Sequence, residues 1–160
     1  MTKITKSMLT VMSGGQTGVD RGALEGARDM GVKTKGYASY NFMTENGSDP
    51  TLKEFGLIDS GRNYKGRTEL NAQWSDGTIW IGKQDSAGYI ATRNACNKFN
   101  RKFIHHTSVN DTITIIHKFG WSTINFAGSR ESRNIGIQET ARKIVRGVLT
   151  NFDSVQGTLL

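Results

Sequence analysis

Three short stretches of the sequence carry residue types suited to holding an oxyanion. The first is Ser13-Gly14-Gly15-Gln16-Thr17-Gly18-Val19-Asp20-Arg21. Glycine has no Cβ, so the amides of Gly14, Gly15 and Gly18 can approach a phosphate closely and adopt positive φ. Thr17 can add a hydroxyl, and a helix starting just beyond would aim its positive end at the same point. Arg21 falls in that helix's first turn, where the dipole disfavours a cation and a bound anion would offset the conflict. The plainer alternative makes Asp20 an N-cap and Arg21 a surface residue. The glycine spacing is neither the dinucleotide fingerprint G-x-G-x-x-G nor a P-loop, which needs Gly-Lys-Ser/Thr.

The second stretch, 82–92, offers Ser86, Gly88 and Thr92 at another expected helix start, though an ordinary connection capped by Ser86 reads equally well. The third is Ala127-Gly128-Ser129-Arg130-Glu131-Ser132. Arg130 has planar donors for phosphate, Ser129 and Ser132 add hydroxyls, and Glu131 could accept from a ribose hydroxyl or a base. A solvated turn with an internal Arg130–Glu131 contact is the plainer alternative.

Other chemically capable residues form no set. His105 and His106 are adjacent, so on a strand they face opposite sides and cannot readily share a metal. His117 carries no signal, Cys96 reads as a core thiol, and Trp74, Trp80 and Trp121 suit core or interface positions. No spacing defends a general acid/base pair, so no catalytic residue and no metal ligand is assigned.

The elements that must position these stretches follow from hydrophobic periodicity. An apolar run at 8–12 reads as a buried strand, 21–30 as a helix stopped by Gly31, and 33–37 as a second strand. The span 38–70, which holds the only proline, Pro50, has little periodicity. A loop that long is either functional, such as a lid with Tyr64 and Arg67 near its end, or a misread element. Strands follow at 78–81, 102–105 and 123–126, and helices at 88–98 and 136–149. The segment 112–119 is read as a helix with Asp111 as N-cap and Gly120 as stop, because parallel neighbours need a crossover. This alternation predicts an α/β, Rossmann-like three-layer arrangement: a mostly parallel sheet with helices on both faces. All strand C-terminal ends then share one edge, so the three stretches should converge there.

The 160 residues suit one ligand-binding domain, 1–160, with its core at 8–149 and a frayed tail after Thr150. A hydrophobic fraction of 36% and a charged fraction of 22% fit a globular chain rather than a disordered one. The one cysteine excludes an internal disulfide and points to a cytoplasmic setting. No signal-peptide core or membrane-length apolar run is found. A net charge of +7 favours an anionic partner. The cations are dispersed, so a small phosphate ligand ranks ahead of nucleic acid.

The first stretch also resembles the opening motif of the molybdenum-cofactor carrier family, within the Rossmann-like superfamily that includes lysine-decarboxylase-like LOG proteins and DprA. Tyr64, Arg67-Thr68 and Asn71 are similar to that family's Y-x-x-R-T-x-x-N segment, and Ser75-Asp76-Gly77-Thr78 to its S-D-G-T segment. The run 125–132 resembles its closing N-V-A-G-P-R-E-S motif. One departure is Tyr89, bulky where the family has a small residue, which would alter the pocket wall. Asn94 stands near the position where LOG hydrolases carry a glutamate, which argues against their chemistry.

The resemblance implies a Rossmann-like fold, a small anionic nucleotide-like ligand and a homo-oligomer. The cargo it implies is the molybdenum cofactor, with a nucleotide as the other ligand class. The expected ligand-binding set is Gly14, Gly15, Gln16, Thr17, Gly18, Asp20, Arg21, Arg67, Ser86, Gly88, Thr92, Gly128, Ser129, Arg130, Glu131 and Ser132. Ligand binding without catalysis is the leading expectation, and three alternatives stand beside it. One is a sensor or sequestering protein for a cyclic or ADP-ribose-like nucleotide. Another is a nucleotide hydrolase using Asp20, Asp76 or Glu131. The last is a nucleic-acid-binding protein.

Overall fold

The computed structural model describes residues 3–155. Six parallel strands form one sheet in the order β5-β2-β1-β8-β6-β7. They are β1 (Thr10–Met12), β2 (Lys33–Ala38), β5 (Leu57–Asp59), β6 (Gly77–Ile81), β7 (Lys102–His105) and β8 (Thr123–Gly128). A two-stranded antiparallel hairpin, β3 (Met43–Thr44) and β4 (Gly47–Ser48), stands apart from it. The helices are α1 (Val19–Asp29), α2 (Tyr64–Gln73), α3 (Ala87–Lys98), α4 (Val109–Phe119) and α5 (Ile137–Val155). Helix α5 packs against α1 and α4, while α2 packs against α3. This is the Rossmann-like α/β arrangement expected from the alternation of elements.

The sheet is parallel because each β-to-β connection is long enough to carry a crossover. Every residue of β6 is buried, as a strand covered on both faces must be. The larger core cluster lies where α1, α4 and α5 cover the sheet, and includes Val11, Leu9, Ile79, Ile124, Phe126 and Phe152. Fully burying a side chain of this size contributes about 1.5–3 kcal/mol. Helices α1 and α5 approach closely because Gly22 and Gly26 have no Cβ. One at Gly22 would stand 2.1 Å from the Gln138 carbonyl oxygen.

Several expectations need correction. The first strand begins at Thr10, with Met8 in a 3₁₀ turn over Lys6–Met8. Helix α1 starts at Val19 with Gly18 in the cap position, so Asp20 is not its N-cap. Ser108, not Asp111, caps α4, its Oγ accepting from the Asp111 amide at 3.0 Å. The last helix continues past Thr150 to Val155 because Phe152 is fully buried. What remains of the expected tail, 156–160, lies outside the described residues.

Of the two alternatives for the span 38–70, the structure favours unread elements, since it holds a sheet strand and the start of a helix. It contains β5, the β3–β4 hairpin, the start of α2 and a 3₁₀ turn at Pro50–Phe55. Strand β5 has three residues and α2 is polar on most faces, so neither shows a clear period. Their support comes from a second apolar cluster of Leu24, Ala38, Phe42, Leu52, Phe55 and Leu57.

Candidate functional site

Strand β1 leads outward to β2, β6 leads the other way to β7, and β8 returns between β1 and β6. This reversal of order opens a crevice at the C-terminal ends of the strands. A cleft of about 640 Å³ lies there, bordered by α2, by the connection from β6 to α3 and by the segment following β8. Its lining includes Lys65, Arg67, Lys83, Arg130 and Arg133 against only two carboxylates, Asp20 and Asp85. The cleft is therefore strongly positive. It also receives Ser86, Ala87 and Gly88, which head α3. The first amides of a helix lack intrahelical acceptors and favour an anion.

The first glycine-rich stretch contributes differently from what its spacing suggested. Of its residues, Gln16 and Asp20 line the cleft. The amides of Gly15, Gln16, Thr17 and Gly18 donate to Ser13 Oγ, Asp20 Oδ2, Gln16 Oε1 and Gln138 Oε1. Gly15 and Gly18 do have positive φ, at 81° and 83°. Gly14 does not, and it is small because the Arg67 guanidinium lies over it: a Cβ there would be 1.9 Å from Arg67 Nη1. Leu52 and Leu57 cover Gly15 in the same way. Arg21 points out of the cleft to Asp49 at 3.0 Å and Thr51 at 2.9 Å, with Glu25 at 3.7 Å. The protein's own carboxylates thus offset the dipole conflict that had hinted at a ligand there.

Arg67 and Asp20 form the deepest charged pair in the cleft. Nη1 of Arg67 is 3.3 Å from Asp20 Oδ2, and both side chains are largely buried. Burial raises the Asp20 carboxyl above its ordinary value, while Arg67, the Gln16 amide and Arg130 pull against that rise. Of the three buried side-chain polar atoms without a partner among the described residues, two belong to cleft residues, Arg67 Nε and Gln16 Nε2; the third is Ser39 Oγ.

In the second stretch, Ser86 Oγ accepts from the Tyr89 amide at 3.1 Å, the capping role weighed from the sequence. The Thr92 hydroxyl donates to the Gly88 carbonyl at 2.8 Å while its residue borders the cleft. A Cβ at Gly88 would meet nothing closer than Ser86 Oγ at 3.9 Å, so this glycine faces open space. Tyr89 does not form the pocket wall. It is buried edge-on against Trp80 and Phe103, and its hydroxyl lies 2.7 Å from His105 Nε2.

In the third stretch Gly128, Ser129 and Arg130 border the cleft. Ser129 Oγ accepts from the Lys83 amide at 2.9 Å, tying the second and third stretches together. Arg130 sits 5.6 Å from the centre of the Tyr64 ring. Glu131 instead accepts from the amides of Gly136, at 2.6 Å, and Gln138, at 3.0 Å, at the start of α5. It makes no contact with Arg130 of the kind the turn model expected. Ser132 and Thr17 both turn to Glu45.

Sequence reasoning missed Glu45, Lys65, Lys83, Asp85 and Arg133. Only the third-stretch spacing could have signalled Arg133; Glu45 arrives from a hairpin with no local signature. Asn71, part of the family-like segment, is structural: it clamps both the amide and the carbonyl of Tyr37. Asp76 is also structural. It lies before β6 at the edge opposite the cleft and accepts from the amides of Ser122 and Thr123. As expected, His105 and His106 diverge, towards Tyr89 on α3 and Thr112 on α4. Burial lowers the His106 pKa despite the opposing field of Asp111. Cys96 is a buried thiol pushed up by burial, with Thr78 opposing, and lies away from the cleft. Among the described residues no His, Cys, Asp and Glu group could hold a metal, and no helix is long and apolar enough to cross a membrane.

Comparison with known proteins adds a family and a solved structure. The model of the circularly permutated YpsA SLOG family matches residues 11–149. The crystal structure of a "putative molybdenum carrier protein" from Syntrophus aciditrophicus SB superposes with a TM-score of 0.75 at 26% identity. The match covers 89% of this chain and 93% of that one. No curated protein matches the chain.

Proposed function

The chain belongs to the circularly permutated YpsA SLOG family, a molybdenum-carrier-like group, and from that premise we propose that it binds a phosphate-bearing, nucleotide-like ligand in the cleft without transforming it. The observation that carries this reading is the charge of the cleft: five cationic side chains face two carboxylates at the head of α3. Fixed cations and helix amides favour a phosphoryl group over a neutral ligand. Tyr64 at the border supplies flat apolar surface for a ring system. Arg130, Arg67 and the α3 amides hold the anionic end, while Gln16 and Thr92 address polar ring substituents.

A binding role also agrees with how the carboxylates are used. Of those considered for hydrolysis, Asp76 and Glu131 are tied to backbone amides away from the reacting space. Asp20 is held against Arg67. The donors present suit a pterin phosphate or a nucleotide, and a metal carried by such a cargo would be held by the cargo. A protein that sequesters a nucleotide signal would use the same cleft and differ only in its ligand.

Native mass spectrometry of the purified chain, followed by denaturation and identification of what is released, tests this reading. A released pterin phosphate supports the carrier role, and a released nucleotide supports sequestration. An empty protein that no nucleotide or pterin phosphate stabilises in a thermal-shift panel removes the binding reading. Arg130→Ala should weaken binding of a stabilising phosphate ligand by about 1.5–3 kcal/mol, measured calorimetrically. Unchanged affinity would place Arg130 outside the site.

A further inference from the structure

Beside the cleft, the Glu45 carboxylate occupies a ready-made set of anion donors. The Thr17 hydroxyl donates to Oε2, the Ser132 amide reaches the same oxygen at 3.2 Å, and the Ser132 hydroxyl donates to Oε1. Arg130 Nη1 lies 4.0 Å from Oε1. Two hydroxyls, an amide and a guanidinium converging on two oxygens are donors that a phosphoryl group would also use. Burial works to raise the Glu45 carboxyl, but the Ser132 and Thr17 hydroxyls, the Ser132 amide and Arg130 together hold it below its ordinary value. It is therefore an anion at neutral pH.

Glu45 is delivered by the small β3–β4 hairpin rather than by the sheet. The chain enters that hairpin through Asn41 and Phe42, at φ values of 56° and 55°. A left-handed conformation is costly for a phenylalanine, so the segment presenting Glu45 is strained. Arg130 belongs to both places: it lines the cleft and faces Glu45.

We propose that Thr17, Arg130 and Ser132 form a phosphoryl subsite adjoining the cleft, which Glu45 fills as a resident substitute and vacates for the second phosphoryl group of a diphosphate-bearing ligand. This rests on the cleft being an anion site, since the first phosphoryl group would lie there. A phosphoryl group brings more charge and more acceptor oxygens than a carboxylate to the same donors. The displaced Glu45 would move to water at the hairpin's tip, where Asn46 is exposed. The chain would thereby favour ligands with two linked phosphoryl groups over those with one.

Calorimetric titration with inorganic phosphate tests this through stoichiometry. Glu45→Ala should bind one more phosphate per chain than wild type, and adding Thr17→Val and Ser132→Ala should remove that extra equivalent. Glu45→Gln keeps the side chain's bulk and removes its charge, so it covers the case in which alanine disturbs the hairpin. It should also gain the extra equivalent, at phosphate concentrations at least about tenfold below any at which wild type does, because like-charge competition is gone. Folded Glu45→Ala or Glu45→Gln protein with no extra equivalent overturns the subsite. Failure of the cleft reading looks different: wild type would bind no phosphate while the extra equivalent in Glu45→Ala remained.

Discussion

The connections from β1 to α1 and from β6 to α3 both leave a central parallel strand and open a helix at the same edge, yet the glycine at the start of one helix is covered and that at the start of the other is open. In the first, Gly14, Gly15 and Gly18 are buried under protein: Arg67, Leu52 with Leu57, and the Ser129–Arg130 backbone. In the second, Gly82 is crowded by Ser129, with a Cβ 2.3 Å from its Oγ, but Gly88 in the first turn of α3 faces open space. A glycine-rich loop marks crowded backbone, and the crowding group can be a ligand or another part of the chain. The cleft accordingly takes its cations from α2 and from the two later connections, while the glycine-rich loop forms the floor that holds Arg67 and Asp20.

Substitutions can break or sharpen that contrast. Gly18→Val should have the largest effect. It combines φ of 83° with a Cβ 2.3 Å from the Ser129 carbonyl oxygen. A loss of at least about 3 kcal/mol, or failure to fold, is expected in chemical denaturation. Near-native stability would mean that the first loop is free to move.

Arg67→Ala comes next, at about 3 kcal/mol, because it leaves the buried Asp20 carboxyl unpaired. The same pair predicts a pH dependence. Asp20 is raised in the folded chain, so the native state holds its proton more tightly than the unfolded state. Its contribution is therefore largest below the unfolded carboxylate value and declines as pH rises towards the raised native one. In melting curves taken across the acid range, Asp20→Asn should abolish that part of the slope. An identical slope in the variant would show that Asp20 titrates normally.

The second connection should respond more mildly. Ser86→Ala removes the α3 cap and should cost about 1 kcal/mol in denaturation. Gly88→Ala should be smallest and opposite in sign. No atom crowds the new methyl, and alanine is favoured over glycine in a helix by about 0.5–1 kcal/mol. A clear destabilisation by Gly88→Ala would erase the distinction between the two loops.

Where the sequence was legible, its patterns were local. The apolar faces of α1 and α5, the apolar run 79–81 of β6 and the glycine stop at Gly120 each lie within one or two turns or one strand. The motifs at 13–21 and 125–132 meet at one sheet edge, as expected, because a parallel sheet puts all strand C-termini together. Strand β5 and helix α2 were not legible. Three residues are too few to display alternation, and α2 presents polar residues on most faces.

The sequence by itself therefore determined five of the six sheet strands and four of the five α-helices among the described residues, the parallel sheet they imply and the edge at which ligand-type residues gather. Periodicity is a property of neighbours along the chain, and these conclusions need nothing else. The tertiary structure decided which of those residues face the cleft. It turned Arg21 and Glu131 towards internal partners and buried Tyr89 behind the pocket wall. It also brought Arg67 to Asp20 across 47 positions and Glu45 to Ser132 across 87. A hydrogen bond over such separations depends on where the intervening elements pack, and no local pattern records it.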